Sequence, residues 1–172
     1  MTSPIRLADL VTADRIIPAM YAGNKLEVLE KLSRFAAMKI RVDAELIRRK
    51  VLEREDLTTF GIGRGIALPH AAVPDISQPI GIFARIKQPI DFGAADRRRA
   101  DLVLLLLVPD KDPGMLLRVL SCAARRLRDR EVVMRLRAEN SAEAAHVILT
   151  TDCWRENNPR DTPPDSSHES RI

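Results

Sequence analysis

The chain has 172 residues, 45% apolar, 3% aromatic and 30% charged, with a formal net charge of +4. That length suits one globular domain with a real core, and the scarcity of aromatics makes its packing aliphatic. No run of about 18 uninterrupted apolar residues occurs, which argues against a membrane-spanning helix. The first residues, Met1-Thr2-Ser3-Pro4-Ile5-Arg6, lack the basic and apolar blocks of a signal peptide, so a cytoplasmic location is expected. The cationic groups are scattered among acids with no aromatic residues between them. Nucleic acid is therefore not the expected partner. Cys122 and Cys153 have no metal or redox spacing and read as two unpaired thiols.

In chain order, Asp14 to Ala22 reads as a short apolar strand, closed by Gly23-Asn24. Asn24 followed by Glu27 resembles a capping box. Leu26, Leu29, Leu32, Phe35, Ala36 and Ile40 recur at helical spacing, predicting a helix over 25–40. Asp43 can cap a second helix running to Glu55, with Leu46, Ile47, Val51 and Leu52 inward. Thr58 to His70 carries three glycines between extended pieces, and Ile80 to Ile86 reads as a strand. Leu102 to Val108 is a solid aliphatic run, the pattern of a strand covered on both faces. Helices are predicted over 114–128, 130–138 and 141–150, the last capped by Ser141. Beyond Trp154 almost nothing apolar remains, and 155–172 reads as a disordered tail. The order helix, helix, strands, helices predicts an α/β domain with a mixed sheet and packed helices.

The chemistry concentrates in Gly61-Ile62-Gly63-Arg64-Gly65-Ile66-Ala67-Leu68-Pro69-His70. Pro69 fixes its own φ and biases Leu68 toward an extended conformation, so His70 leaves a stiff segment beside a glycine loop. Neutral imidazole is nucleophilic near pH 7, and a phosphoryl group taken up there needs chiefly positioning and cationic contacts. Arg54, Arg64 and Arg85 are the candidate cations, and the loop amides are candidate donors. The glycine spacing fits neither a dinucleotide fingerprint nor a Walker loop. His146, within a helical apolar pattern, reads as structural, and His168 lies in the tail. No metal-ligand spacing occurs, so neither metal nor cofactor is expected. On an exposed loop, His70→Ala should abolish phosphorylation with little loss of stability.

Arg54-Glu55 and Thr59, followed by Gly61-Ile62-Gly63-x-Gly65-Ile66-Ala67-Leu68-Pro69-His70, resemble the phosphorylation-site signature of the mannitol/fructose-type enzyme IIA family. That family serves the bacterial phosphoenolpyruvate-dependent phosphotransferase system. Pro89-Ile90-Asp91-Phe92, Leu107-Val108-Pro109 and Arg126-Leu127-Arg128-Asp129 extend the likeness from about residue 5 to 152. A chain without attached IIB or IIC parts resembles the nitrogen-regulatory branch. The resemblance implies an enzyme IIA-like domain over 1–154, with a central mixed sheet flanked by helices on both faces. It makes His70 the phosphoacceptor and Arg54 the phosphate-stabilising partner, with Thr59, Gly61, Gly63, Arg64 and Gly65 in the loop. It also implies a histidine-containing phosphocarrier (HPr- or NPr-like) as donor, and a regulatory target protein that the residues do not identify.

Departures accompany the likeness. Leu116 stands where the family usually carries a second active-site histidine, and a leucine can neither donate to phosphate nor polarise a leaving group. Phe60 and Arg64 replace small residues, and Arg97-Arg98-Arg99 is unusually basic. The leading expectation is a phosphoryl-accepting regulator with slow transfer. The alternatives are a IIA-like binding module with weak or lost phosphorylation, and a sugar-specific IIA serving a separate IIB.

Overall fold

The computed structural model describes residues 4–151. One turn of helix, α1 (Leu7–Leu10), and a 3-10 turn (Ala13–Arg15) lead into β1 (Ile16–Met20). Helices α2 (Lys25–Ile40) and α3 (Ala44–Glu55) follow. Next come β2 (Gly61–Gly63), β3 (Ile66–Ala67), β4 (His70–Val73), β5 (Ile80–Ile90) and β6 (Ala100–Pro109). The chain then enters α4 (Met115–Leu127), α5 (Arg130–Ala138) and α6 (Ala142–Thr150). The expected tail, 155–172, lies outside the described residues.

The sheet is mixed and open, in the order β1-β5-β6-β3-β2, with β4 also on β6. Strand β6 is its spine, antiparallel to β5 and parallel to both β3 and β4. Ile66 pairs with Leu102 and His70 with Leu106. The two short strands therefore keep one register, broken only at Leu68-Pro69. Pro69 has no N–H to contribute to a ladder, but its carbonyl still accepts from Leu106 N at 2.9 Å. His70 thus begins a strand held in register by its neighbours.

Alternation along β6 explains its uninterrupted aliphatic sequence. Leu102, Leu104, Leu106 and Val108 face one core with α1, α4, α5 and α6. Val103, Leu105 and Leu107 face a second core with α2 and α3. Both faces are covered, as the sequence pattern predicts for such a run. All five longer helices stand within a residue or two of their expected spans, and Ser141 caps α6 by accepting from Ala144 N at 3.2 Å.

Three expectations need correction. The segment expected as a strand from Asp14 begins as a 3-10 turn, and the strand occupies only Ile16–Met20. Asn24 does cap α2 by accepting from Glu27 N at 2.9 Å, but the Glu27 carboxylate takes the Gly23 amide rather than closing a reciprocal box. The glycine stretch is no open loop. Strands β2 and β3 form a tight hairpin whose two turn residues, Arg64 (φ 55°) and Gly65 (φ 78°), are both left-handed. Two consecutive positive φ angles characterise the type I′ turn, which matches the twist of its strands.

Candidate functional site

The site is assembled where the last turn of α3 meets the start of β4. Asp43 caps α3 through Glu45 N at 3.2 Å, and the helix runs until Leu57 and Thr58 amides fold back onto the Arg54 carbonyl. This places Arg54, half-buried, beside β4. Its Nε donates to His70 Nε2 at 3.4 Å, a long hydrogen bond.

His70 itself is buried, with 7% of its surface exposed. Its Nδ1 lies 2.8 Å from the Leu68 carbonyl oxygen. A carbonyl only accepts, so the proton resides on Nδ1 and the lone pair on Nε2. The ring of Phe60 stands edge-on to the imidazole, with centroids 5.2 Å apart and planes at 61°. Burial pushes the His70 pKa below its ordinary value, the Leu68 carbonyl pulls it up, and the Arg54 charge pushes it down. Burial prevails, and the imidazole is held neutral. The arrangement presents one desolvated nitrogen lone pair beside a guanidinium.

The structure therefore brings His70 and Arg54 together. It places Arg64 and Gly65 away from them. Arg64 and Gly65 lie beside Asp101 and Leu102, whereas His70 pairs with Leu106. Four residues along β6 separate them, roughly 13 Å. The Arg64 guanidinium donates instead to the Arg128 carbonyl at the end of α4, at 3.3 Å. The amide of Gly61 is committed to the Phe92 carbonyl at 3.1 Å. Thr59 is exposed, its methyl group lying against Gly93.

The remaining candidate cation, Arg85, is also occupied. It donates to the carbonyls of Pro18 and Arg137 and to the Asn140 side chain, tying β5 to β1 and to the end of α5. Leu116, in the first turn of α4, is half-buried and packs on the aliphatic core beneath that helix. His146 Nε2 lies 3.0 Å from the Val11 carbonyl, a structural contact as expected. The Cys122 thiol is buried, donating to the Ile5 carbonyl at 3.3 Å. Cys153 and His168 lie outside the described residues. No cluster of metal-ligating side chains occurs among the described residues.

The burial of His70 overturns the expectation that its removal would be nearly free. The imidazole fills space beside Phe60 and satisfies the Leu68 carbonyl, so His70→Ala opens a void and orphans an acceptor. Two partners of His70 were not recognised in the sequence. The Leu68 carbonyl belongs to a backbone no motif names, although a proline between it and the histidine is a hint. Phe60 stands out only as a bulky residue before the first glycine.

Comparison with known proteins gives this geometry a setting. Residues 9–151 match the family model for the phosphoenolpyruvate-dependent sugar phosphotransferase system, EIIA 2. The chain belongs to this family. Its relatives include the nitrogen regulatory protein of Bradyrhizobium diazoefficiens, 36% identical over 83% of this chain and 94% of that one. The nitrogen regulatory protein of Escherichia coli is 32% identical over 85% of this chain and 90% of that one. Among solved structures, the nitrogen regulatory protein IIA-Ntr of Neisseria meningitidis superposes with a TM-score of 0.78 at 28% identity, covering 84% of this chain and 99% of its own. Mannitol enzyme IIA of Escherichia coli, at 22% identity and a TM-score of 0.70, shares the fold over 81% of this chain and 99% of its own. Within the EIIA 2 family the likeness is thus to the nitrogen-regulatory branch. No helix among the described residues is long and apolar enough to cross a membrane.

Proposed function

We propose that this EIIA 2 protein is a phosphoryl-accepting regulator that takes phosphate from a histidine-containing phosphocarrier onto His70 Nε2. The observation that carries the reading is the pair of contacts on one ring. Leu68 holds the proton on Nδ1, and Arg54 stands at the opposite nitrogen, where phosphate oxygens would gather. In the transfer, the Nε2 lone pair forms the new bond to phosphorus. The bond from phosphorus to the donor imidazole breaks, its electron pair returning to that ring. Nδ1 keeps its proton on the Leu68 carbonyl, so the cationic character that develops on the His70 ring is stabilised there. Arg54 exchanges its contact with Nε2 for charge-assisted hydrogen bonds to the equatorial oxygens.

Leu116 bears on the rate rather than on the nucleophile. A missing positioned donor typically costs about 10²–10³ in rate. Slow transfer suits a regulator better than a sugar-uptake relay. The relatives named as nitrogen regulatory proteins support the same reading. Mannitol enzyme IIA of Escherichia coli is known in complex with phosphorylated enzyme IIB, so a IIB-like partner is the corresponding test of a sugar role. The packing of Leu116 into the core under α4 favours, as second reading, a binding module in which phosphorylation is lost.

The deciding experiment incubates the protein with phosphoenolpyruvate, enzyme I and a phosphocarrier, with His70→Ala beside it. Acid-labile, base-stable phosphate that vanishes in the variant is the expected result. No phosphate, with the donor demonstrably active, leaves the binding module.

A further inference from the structure

Phe60 belongs to the core under α2 and α3 and is 1% exposed, yet it is the aromatic ring in contact with the His70 imidazole. Its backbone is engaged as well. The Phe60 carbonyl accepts from Leu68 N at 2.9 Å, and the Leu68 carbonyl in turn accepts from His70 Nδ1 at 2.8 Å. One residue thus touches the nucleophile's ring and holds the amide of Leu68, the residue whose carbonyl sets its tautomer. Gly61 follows at once, and a Cβ there would come within 2.8 Å of the Ala94 backbone. The chain is therefore pinned on the far side of Phe60, and the ring has little freedom to withdraw.

We propose that Phe60 is a positioning residue for phosphoryl transfer at this site, closing one side of the His70 imidazole and bracing Leu68 so that Nε2 alone is presented. This rests on His70 being the phosphoacceptor. Other surroundings of His70 supply little of this control. From α3 the cation facing it is Arg54, while the nearby Lys50 and Glu55 are ion-paired with Glu53 and Lys25. The β6 side presents apolar side chains from Leu102 to Val108, and Asp101 is bound by Arg137. With a leucine at position 116, no imidazole from α4 can share the proton accounting at Nε2. The aromatic wall keeps water from the ring while the Leu68 carbonyl fixes its tautomer, and this burial holds the His70 pKa below its ordinary value.

The test uses the full chain carrying Phe60→Leu, which keeps apolar volume but no ring, and Phe60→Thr as a smaller replacement. Folding is checked by the dispersed amide spectrum of each. In the first arm, imidazole nitrogen and proton shifts of His70 are followed against pH. Loss of the ring is expected to raise the titration midpoint toward the ordinary 6.5 and to reduce the Nδ1–H tautomer. In the second arm, the initial phosphorylation rate is measured with one donor at pH 6 and pH 8. The expected outcome is a loss of rate at pH 6 that matches the fall in neutral imidazole read in the first arm, with the rate at pH 8 nearly kept. A folded Phe60→Leu protein with unchanged midpoint and tautomer would overturn the proposal and leave Phe60 a core residue. If the parent protein accepts no phosphate, the phosphoacceptor reading fails, while the titration arm still decides whether Phe60 governs the imidazole.

Discussion

At the scale of residues, the chemistry turns on how one imidazole is held. Arg54 is half-buried and placed at Nε2, so Arg54→Gln should slow phosphorylation by about 10²–10³, as loss of one charge-stabilising donor does elsewhere. A stopped assay with a saturating phosphocarrier measures it, and an unchanged rate would remove Arg54 from the site. Arg64→Gly should leave that rate unaltered, because its guanidinium binds the end of α4. The lowered pKa of His70 also has a sign in stability. Folded His70 binds its proton less readily than unfolded His70, whose midpoint is near 6.5. As pH falls through 6.5 toward the lower folded midpoint, the unfolded chain gains the extra proton and stability drops. Above 6.5 the effect is absent. Urea unfolding between pH 7.5 and 5 should show a loss that is smaller in His70→Gln, and equal slopes would contradict the burial argument. His70→Ala should cost about 1–3 kcal/mol by the same titration at pH 7.5, through the orphaned Leu68 carbonyl and the void beside Phe60.

At the scale of elements, the hairpin β2–β3 shows what sequence reading reaches and where it stops. The helices α2, α3, α5 and α6 were legible because periodic apolar residues and side-chain caps are local signals: Asn24, Asp43, Asp129 and Ser141 each accept a first-turn amide. The glycine hairpin was not. Its turn places arginine at φ 55°, where asparagine or glycine is usual, and the anchors that tolerate this are distant in sequence. Asp96 accepts from Arg64 N at 2.7 Å, and Arg137 donates to the Arg64 carbonyl at 2.6 Å while pairing with Asp101. Only the folded sheet and α5 bring these together. Likewise Arg97-Arg98-Arg99 falls beside this turn, since Asp96 takes the Arg98 amide too, rather than beside His70. Gly63→Val should destabilise the protein by about 1–3 kcal/mol, because a β-branched residue at φ +93° is strained and meets the Asp96 carboxylate. Thermal unfolding checks this, and a neutral result would mean the hairpin re-forms with another turn.

Over the whole molecule, a spine strand covered on both faces gives a rigid scaffold whose register carries His70 to a fixed place. The sequence contained that scaffold in plain form: Leu102 to Val108 is apolar without interruption because neither face of β6 meets water. The candidate site was legible in part, since the glycine-to-histidine motif marked His70, while Arg54 was one of three candidate cations and was singled out only by the resemblance to the enzyme IIA family. The tautomer was not legible, because it depends on the Leu68 backbone carbonyl, which has no motif of its own. Leu116 links the two scales. It completes the core beneath α4 and at the same position withholds an imidazole, so Leu116→His should quicken phosphoryl transfer while weakening that packing. The measurement that bears most directly on the account is nitrogen-detected magnetic resonance of the protein after incubation with phosphoenolpyruvate, enzyme I and phosphocarrier. A phosphorus–nitrogen coupling at His70 Nε2, with the proton retained on Nδ1, is the predicted result. Phosphate on Nδ1, on another residue or on none would contradict it.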